Sequence, residues 1–555
     1  MHRPLLALFT VALVMGVLGR GATATAHAAP APAVDVSSLS WQSCQPRGFQ
    51  CATLSVPVDY TKPNGATLSL ALMRLPASNQ STRIGSLLTN PGGPGGSALD
   101  FLTAWAGIVS PQIRSRFDLV AFDPRGVGKS TPIVCHDTLQ KLVSIDPSPD
   151  SQAEWDAAGV ASKKFADDCE QKYPSLLPYV GTKNVARDME SVRIALGEDK
   201  LTYVGYSYGT AIGAVYADMY PDRVRAFVLD GAVDLSLSFE EANKSQMIGF
   251  ERAFNAYLDD CRQRKCSLTK NGDPGTAVDK LLAQVETKPL PAPSADRPAG
   301  PGEVLLGIIS ALYSSNEWNA LTGALVNAIN GDGSGMVDLT DEYLQRNPDG
   351  TYPNLIEANA AVNFDDETCP KDPNDYIAMA ARLKAAAPRF GESAASAGLL
   401  CAYWPTTPDP LTVPRAAGAA PIVVISTTND PATPYEQGVA LSKQLESGKL
   451  IIHRGQGHTI YAQGDSCVDA AVNAYLINLT VPDAGKTCGT GPPPPDALGS
   501  TATATASASA TASTTATRTA TARATAQAPG APDTGSTGDK DSGSTVILAV
   551  AGSLV

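Results

Sequence analysis

LTYVGYSYGTAIGAVYADMY, residues 201–220, decides the fold. Leu201–Val204 is a short apolar run of strand type, and Thr210–Tyr220 is Ala-rich and helical in character. Between them Gly205-Tyr206-Ser207-Tyr208-Gly209 reads G-x-S-x-G, in the strand–turn–helix context that carries a serine nucleophile. The spacing has a physical reason. The serine must sit on a sharp, strained turn with its hydroxyl clear of the sheet, and flanking glycines let strand and helix approach closely. Gly, Ser and Tyr also crowd ordinary turns, so it is the strand before and the helix after that make Ser207 the candidate nucleophile.

Outward from this turn, strands and helices alternate. Gln50–Tyr60 and Ala66–Leu75 read as strands about a Pro-Asn-Gly turn at 63–65. Ile84–Thr89 is a strand that runs into Asn90–Ser97 (NPGGPGGS), and Phe117–Phe122 is another, followed by Asp123–Ser130 (DPRGVGKS). A helix is predicted over Asn184–Leu196 and a strand over Arg225–Leu229. This order predicts an α/β fold with a mostly parallel central sheet. From 233 to 418 the rhythm breaks into helical stretches, around Glu241–Asp260, Val304–Ile329 and Tyr376–Ala387. Strands return at Pro421–Ser426 and Lys449–His453. The economical reading is one α/β core, residues 41–232 and 419–490, interrupted by a helical lid insertion, 233–418. A separately folded helical domain is the alternative.

The ends read differently. His2 and Arg3 precede an apolar run, Leu5–Leu18, too short to span a bilayer securely, and Ala26-His27-Ala28 follows. Residues 1–28 are therefore expected to be a secretory signal peptide and 29–40 a flexible leader. With no cysteine near the cleavage site, a lipid anchor is not expected. Residues 491–555 begin with Pro492–Pro495 and continue through an Ala/Thr/Ser-rich tract, 501–526, that cannot bury a core and reads as a disordered stalk. Ala531-Pro532-Asp533-Thr534-Gly535 and the apolar Val546–Val555 close the chain. That pentapeptide resembles the signals sortases cleave between Thr and Gly, but it has Ala first and no basic residues at the very end. Cell-wall attachment and a plain tail both remain open, and a mature C-terminus at Thr534 is the mark of the first. Ten apolar-leaning residues cannot cross a membrane.

All ten cysteines lie beyond the expected signal, which fits an oxidising, extracellular compartment. Their spacing suggests the pairs Cys44–Cys51, Cys135–Cys169, Cys261–Cys266, Cys369–Cys401 and Cys467–Cys488, among the roughly 945 pairings that ten cysteines allow. A metal site is not expected, because no C-x-x-C occurs and only His136, His453 and His458 follow the signal. The net charge of -13 argues against nucleic acid or an anionic membrane as partner.

A serine needs a base, and the base needs a group that fixes its tautomer. On this type of scaffold the chain order is Ser, acid, His, which excludes His136. His453 lies in or at the end of an apolar strand, whereas His458 follows Gly455-Gln456-Gly457 in a loop, so His458 is the candidate base. Asp430 directly follows the strand Pro421–Ser426 and is the candidate acid; Asp230, at the end of Arg225–Leu229, is its rival. The oxyanion of acyl transfer calls for backbone N–H donors, expected from Tyr208 and from the glycines at 92–93 and 95–96. Gly128-Lys129-Ser130 is superficially like a phosphate loop, but Asp123 stands where that motif's first Gly belongs.

Taken together, NPGGPGGS, DPRGVGKS, GYSYG, Asn429–Pro434 (NDPATP) and Gly455–Thr459 (GQGHT) resemble the secreted tripeptidyl aminopeptidases, relatives of the proline iminopeptidases among the α/β-hydrolases. The resemblance covers about residues 40–490. It implies an α/β-hydrolase fold, a triad of Ser207, Asp430 and His458, and Gly93 and Tyr208 as oxyanion donors. It also implies a helical lid, no cofactor, and release of short peptides, typically tripeptides, from free N-termini. A lid that closes the far end of the cleft leaves room for only a few residues, and an acidic group there can pair with the substrate's α-ammonium. Glu240, Glu241, Asp365, Asp366 and Glu367 lie in the insertion and are the candidates, although acidic clusters are usually solvated surface. A carboxylesterase or lipase on the same scaffold is the rival activity; a wall-displayed binding protein on an inactive scaffold is the rival of another class.

Overall fold

The computed structural model describes residues 39–135 and 139–495. The expected signal peptide, the leader up to residue 38, His136, the stalk from residue 496 and Ala531–Gly535 lie outside the described residues. Ten strands form one sheet: β1 (Gln42–Ser43), β2 (Gln50–Pro57), β3 (Thr67–Leu75), β4 (Gly85–Asn90), β5 (Phe117–Phe122), β6 (Leu201–Tyr206), β7 (Val224–Asp230), β8 (Ile422–Asn429), β9 (Gly448–Gln456) and β10 (Lys486–Cys488). Their spatial order is β1-β2-β3-β5-β4-β6-β7-β8-β9-β10. The β1–β2, β2–β3 and β3–β5 pairs are antiparallel, and every pair from β5 onward is parallel.

β4, β5, β6 and β8 are buried along their whole length, as parallel strands covered on both faces must be. Their side chains alternate between two cores: Leu88, Val120, Tyr203 and Val424 on one face, Leu87, Leu119, Val204 and Val423 on the other. Register does the rest. Asn90 pairs with Gly205, Tyr206 with Asp230, Asp230 with Ile425, and Thr427 with His453. The carboxyl ends of five adjacent strands therefore stand along one edge, where loops converge and ligands of open α/β sheets bind.

Between the end of β7 and the start of β8 the long elements are helices, and their apolar residues, Tyr257, Ile308 and Leu325 among them, continue the core that holds Leu88 and Phe227. The stretch Val304–Ile329, expected as one helix, is two: Pro301–Leu312 and Trp318–Ile329. Ser314 breaks it, its side chain accepting from the backbone N–H of Asn316 at 3.3 Å, and the break frees the Tyr313 carbonyl. The helix Gln152–Lys172 is missing from the sequence reading, although Ser151 and Glu154 form a capping box at its start. The five disulfides join the cysteines in the near-neighbour pairs expected.

Candidate active site

Ser207 ends β6 and precedes the helix Tyr208–Met219, at φ 55° and ψ −128°. That conformation costs roughly 1–3 kcal/mol and persists only where the surroundings impose it. Here they do. The Ser207 N–H donates to the Asp230 carbonyl at 2.9 Å, and the Ser207 carbonyl accepts from the N–H and hydroxyl of Thr210 at 2.8 and 2.6 Å. A Cβ at Gly205 would lie 2.3 Å from the Gly209 carbonyl, and one at Gly209 would lie 2.7 Å from the Asn90 carbonyl. Both glycines are thus required by close approach.

The loop after β4 packs onto this turn. A Cβ at Gly92 would come within 2.9 Å of the Tyr208 backbone nitrogen, and Gly93 shares with Ser207 and Tyr208 the lining of a cleft of about 320 Å³. The loop after β5 braces it from behind: Asp123 accepts from the Ser97 hydroxyl at 3.0 Å and from the N–H of Leu99 and Lys129 at 3.1 and 2.9 Å. The phosphate-like GKS turn is therefore already occupied by the chain's own carboxylate. Arg125 in the same loop is fully buried and forms a two-pronged ion pair with Asp188, at 2.6 and 2.7 Å.

Asp430, after β8, and His458, after β9, meet at the same rim. His458 Nδ1 is 2.9 Å from each carboxylate oxygen of Asp430. Asp430 Oδ1 also accepts from the N–H of Ala432 and Thr433 at 2.9 Å, and Oδ2 accepts from the Thr433 hydroxyl at 3.1 Å. The Thr433 hydroxyl is 3.3 Å from His458 Nδ1 and lines the cleft beside Ser207. Its place in the site is absent from the sequence reading; an Asp followed three residues later by Thr is the local signal that a carboxylate is being capped. The freed Tyr313 carbonyl accepts from the His458 N–H at 2.8 Å, and the Tyr313 ring stands edge-on to the imidazole. Nε2 of His458 is buried without a hydrogen-bond partner among the described residues, so imidazole and serine hydroxyl are not yet joined, as is common before substrate binds.

Asp230 has a different task. Its Oδ2 accepts from the N–H of Ile460 and Tyr461 at 2.8 and 2.7 Å, fastening the loop that follows His458, and burial pushes its carboxyl up to about 6. His453 is packed within β9, with Nδ1 3.2 Å from the Thr427 hydroxyl and Nε2 3.6 Å from Asp465.

The five acidic residues of the insertion separate. Glu240 pairs with Arg382 at 2.6 Å, and Glu241 caps Ser238; both sit in the first turn of the helix Phe239–Arg264, where carboxylates serve the helix end, and neither faces the cleft. Asp365 is buried and accepts from the N–H of Val180 and Gly181. Asp366, also buried, accepts from the N–H and hydroxyl of Thr182 and reaches the cleft wall. Glu367 alone of the five lines the cleft with a side chain that has no hydrogen bond or ion pair among the described residues. Burial pushes its carboxyl up to about 7. Val233, Leu235, Leu237, Phe239 and Leu411 form an apolar stretch of that wall, beside the polar Asn243, Gln246, Asn363 and Gln437.

A model of the alpha/beta hydrolase fold family matches residues 85–465. The chain is 40% identical over 483 residues to the serine protease Hip1 of Mycobacterium tuberculosis, covering 81% of this chain and 91% of that protein. It is also 40% identical over 495 residues to carboxylesterase B of the same species, covering 84% and 94%. Over 471 residues it is 31% identical to tripeptidyl aminopeptidase of Streptomyces coelicolor, covering 81% and 86%.

Proposed function

The chain belongs to the α/β-hydrolase family, among the serine peptidases akin to Hip1 and the tripeptidyl aminopeptidases, and from this we propose that it is a secreted exopeptidase releasing short peptides, tripeptides above all, from free N-termini. The observation that carries the reading is the charge-assisted contact of His458 Nδ1 with Asp430, which leaves a buried, unpartnered Nε2 at the rim where Ser207 sits on its strained turn.

The steps follow from that arrangement. With Asp430 holding the Nδ1–H tautomer, Nε2 takes the Ser207 proton as Oγ attacks the scissile carbonyl. Charge moves to the carbonyl oxygen, which the Tyr208 and Gly93 N–H groups meet; one such donor is worth about 3–4 kcal/mol of barrier. The imidazolium then protonates the leaving amine, and water, activated by the same Nε2, hydrolyses the ester. Glu367 would receive the substrate's α-ammonium, and the apolar wall would receive its side chains. The helical insertion closes the cleft over these groups and limits how much peptide fits beyond the scissile bond. Five disulfides support an extracellular home, and no described helix is long and apolar enough to cross a membrane.

The second reading, an esterase on the same machinery, is favoured by the apolar cleft wall and by the likeness to carboxylesterase B. Two measurements decide. Ser207→Ala should lower kcat by about 10⁴-fold or more with folding intact, and a variant keeping a tenth of normal kcat defeats both readings. Free and N-acetylated Ala-Ala-Pro anilides should differ strongly in kcat/KM; equal rates, or a preference for short acyl esters, favour the esterase.

A further inference from the structure

We propose that Asp366, acting through Thr182, is a positioning residue for the nucleophile turn, so that the helical insertion sets the oxyanion donor of the core. The inference rests on the roles given above to Ser207 and Tyr208. The Tyr208 hydroxyl is hydrogen-bonded to the Thr182 hydroxyl, and the Thr182 hydroxyl donates to Asp366 Oδ2. All three side chains are buried. Asp366 ends the helix Leu355–Asp366 of the insertion, whereas Thr182 opens the core helix Thr182–Leu196.

The join between the two parts is close and directional. The core helix has no side-chain cap of its own. The N–H of its first residue, Thr182, and those of Val180 and Gly181 just before it are met by Asp366 and Asp365 across a sequence gap of more than 180 residues. A Cβ at Gly181 would lie 2.8 Å from Asp366 Oδ1, so only glycine lets the carboxylate in. Those contacts account for Asp366 Oδ1 and for the helix end. They leave Oδ2 to fix the Thr182 hydroxyl, and that hydroxyl to fix the ring of Tyr208.

Tyr208 is the residue whose backbone N–H must meet the oxyanion, one residue beyond the φ 55° strain at Ser207. A strained turn relaxes by moving its neighbours, and the anchored ring blocks that movement on the cleft side. The chain of hydroxyls thus transmits the seating of the insertion to a catalytic N–H without touching substrate.

The test uses the full chain and four variants: Tyr208→Phe, which keeps the backbone donor, Thr182→Val, Thr182→Ser and Asp366→Asn. Folding is checked by circular dichroism and thermal melting. Rates are taken on Ala-Ala-Pro p-nitroanilide, and the Ki of Ala-Ala-Pro boronic acid, which forms a tetrahedral adduct on serine, is measured beside them. Expected is a fall in kcat of about tenfold or more in Tyr208→Phe, Thr182→Val and Asp366→Asn, with KM within about threefold and the boronate Ki rising in step with the loss of kcat/KM. Thr182→Ser should recover to within about threefold, and the double variant Tyr208→Phe/Thr182→Val should be no worse than the worse single. A merely structural role lowers the melting temperature and leaves kcat and the boronate Ki in place, which overturns the inference; so do losses that multiply in the double variant. Should Thr182→Val not fold, Tyr208→Phe and Thr182→Ser decide alone. A dead Ser207→Ala beside a fully active Tyr208→Phe sinks this inference and spares the reading beneath it.

Discussion

Replacing Glu367 by Gln removes a charge from the cleft while keeping volume and hydrogen-bonding capacity. In the empty site its carboxyl is held near 7 by burial alone. An arriving α-ammonium supplies the missing counter-charge and draws the group into its ionised form. A hydrogen bond to a charged partner contributes about 1.5–3 kcal/mol, so Glu367→Gln should lower kcat/KM for a free tripeptide anilide by about 10–10² fold. The loss should fall mainly in KM, since the ammonium is bound alike in ground and transition states. An acyl ester without an amine should be hydrolysed as before. The pH profile carries a second mark. Peptide kcat/KM should climb as pH rises through about 7, where Glu367 ionises, and fall again as the peptide amine loses its proton near 7.7–8.0. Ester hydrolysis in the same enzyme should lack the upper limb, and Glu367→Gln should bring the peptide profile closer to that of the ester. Steady-state assays on matched peptide and ester substrates between pH 5 and 9 would suffice. If the variant still discriminates free from N-acetylated peptides as the parent does, the ammonium is bound elsewhere and Glu367 is not its partner.

Thr433→Val removes the hydroxyl that Asp430 Oδ2 accepts from and that crowds His458 Nδ1; kcat should drop by about 10–10² fold, on the scale of one hydrogen bond to a buried carboxylate, with Thr433→Ser recovering most of it. Arg125→Met leaves the Asp188 charge buried without its counter-ion, so urea denaturation should show about 3–5 kcal/mol lost; Arg125→Met/Asp188→Leu should regain only part of it, because the carbonyls of Pro57, Val58 and Tyr179 still lose their donor. Asp230, Asp365 and Glu367 are raised to about 6, 7 and 7. Folded protein therefore holds protons that the unfolded chain has already released, and their contribution to stability is present below the ordinary carboxyl range and lost as pH climbs through about 4 to 7. Melting temperature should accordingly be higher at pH 6 than at pH 8, and the opposite trend would contradict the burial of these groups.

What was legible in the sequence is what strands and turns write locally. β5 begins and ends at the residues predicted, because FDLVAF is an unbroken apolar run between a helix end and a Pro-containing turn. Ser207 and Asp430 could be chosen because each directly follows a strand, and His458 because it lies in the loop just past one, in a sheet whose carboxyl edge is shared. The acidic residues of the insertion could not be ranked in the same way. Glu240 and Glu241 look no different from Asp366 and Glu367 along the chain. What separates them is that one pair opens a helix on the surface, where Ser238 and Arg382 claim it, and the other closes a helix against the core. Thr182, Thr433 and Tyr313 were illegible for a related reason: the hydroxyls and the carbonyl matter only for what lies across from them, 25 to 184 residues away.

The division of labour explains why the insertion cannot be regarded as a mere cover. The core supplies the strained serine, the Asp430–His458 pair and the glycine loop, and each of these is fixed by sheet register. The insertion supplies the Tyr313 carbonyl on the histidine backbone, the Asp365 and Asp366 caps on a core helix, and the Glu367 wall. The Tyr313, Asp365 and Asp366 contacts each pair a group of the insertion with a backbone N–H or hydroxyl of the core that would otherwise be buried without a partner, at a cost of about 1–3 kcal/mol apiece. Swinging the insertion away as a rigid body would break them together and would loosen the loop of His458 and the seat of Tyr208 in the same motion. Substrate entry by wide opening would therefore dismantle the machinery it serves. Entry through the mouth of the existing cleft keeps these contacts in place.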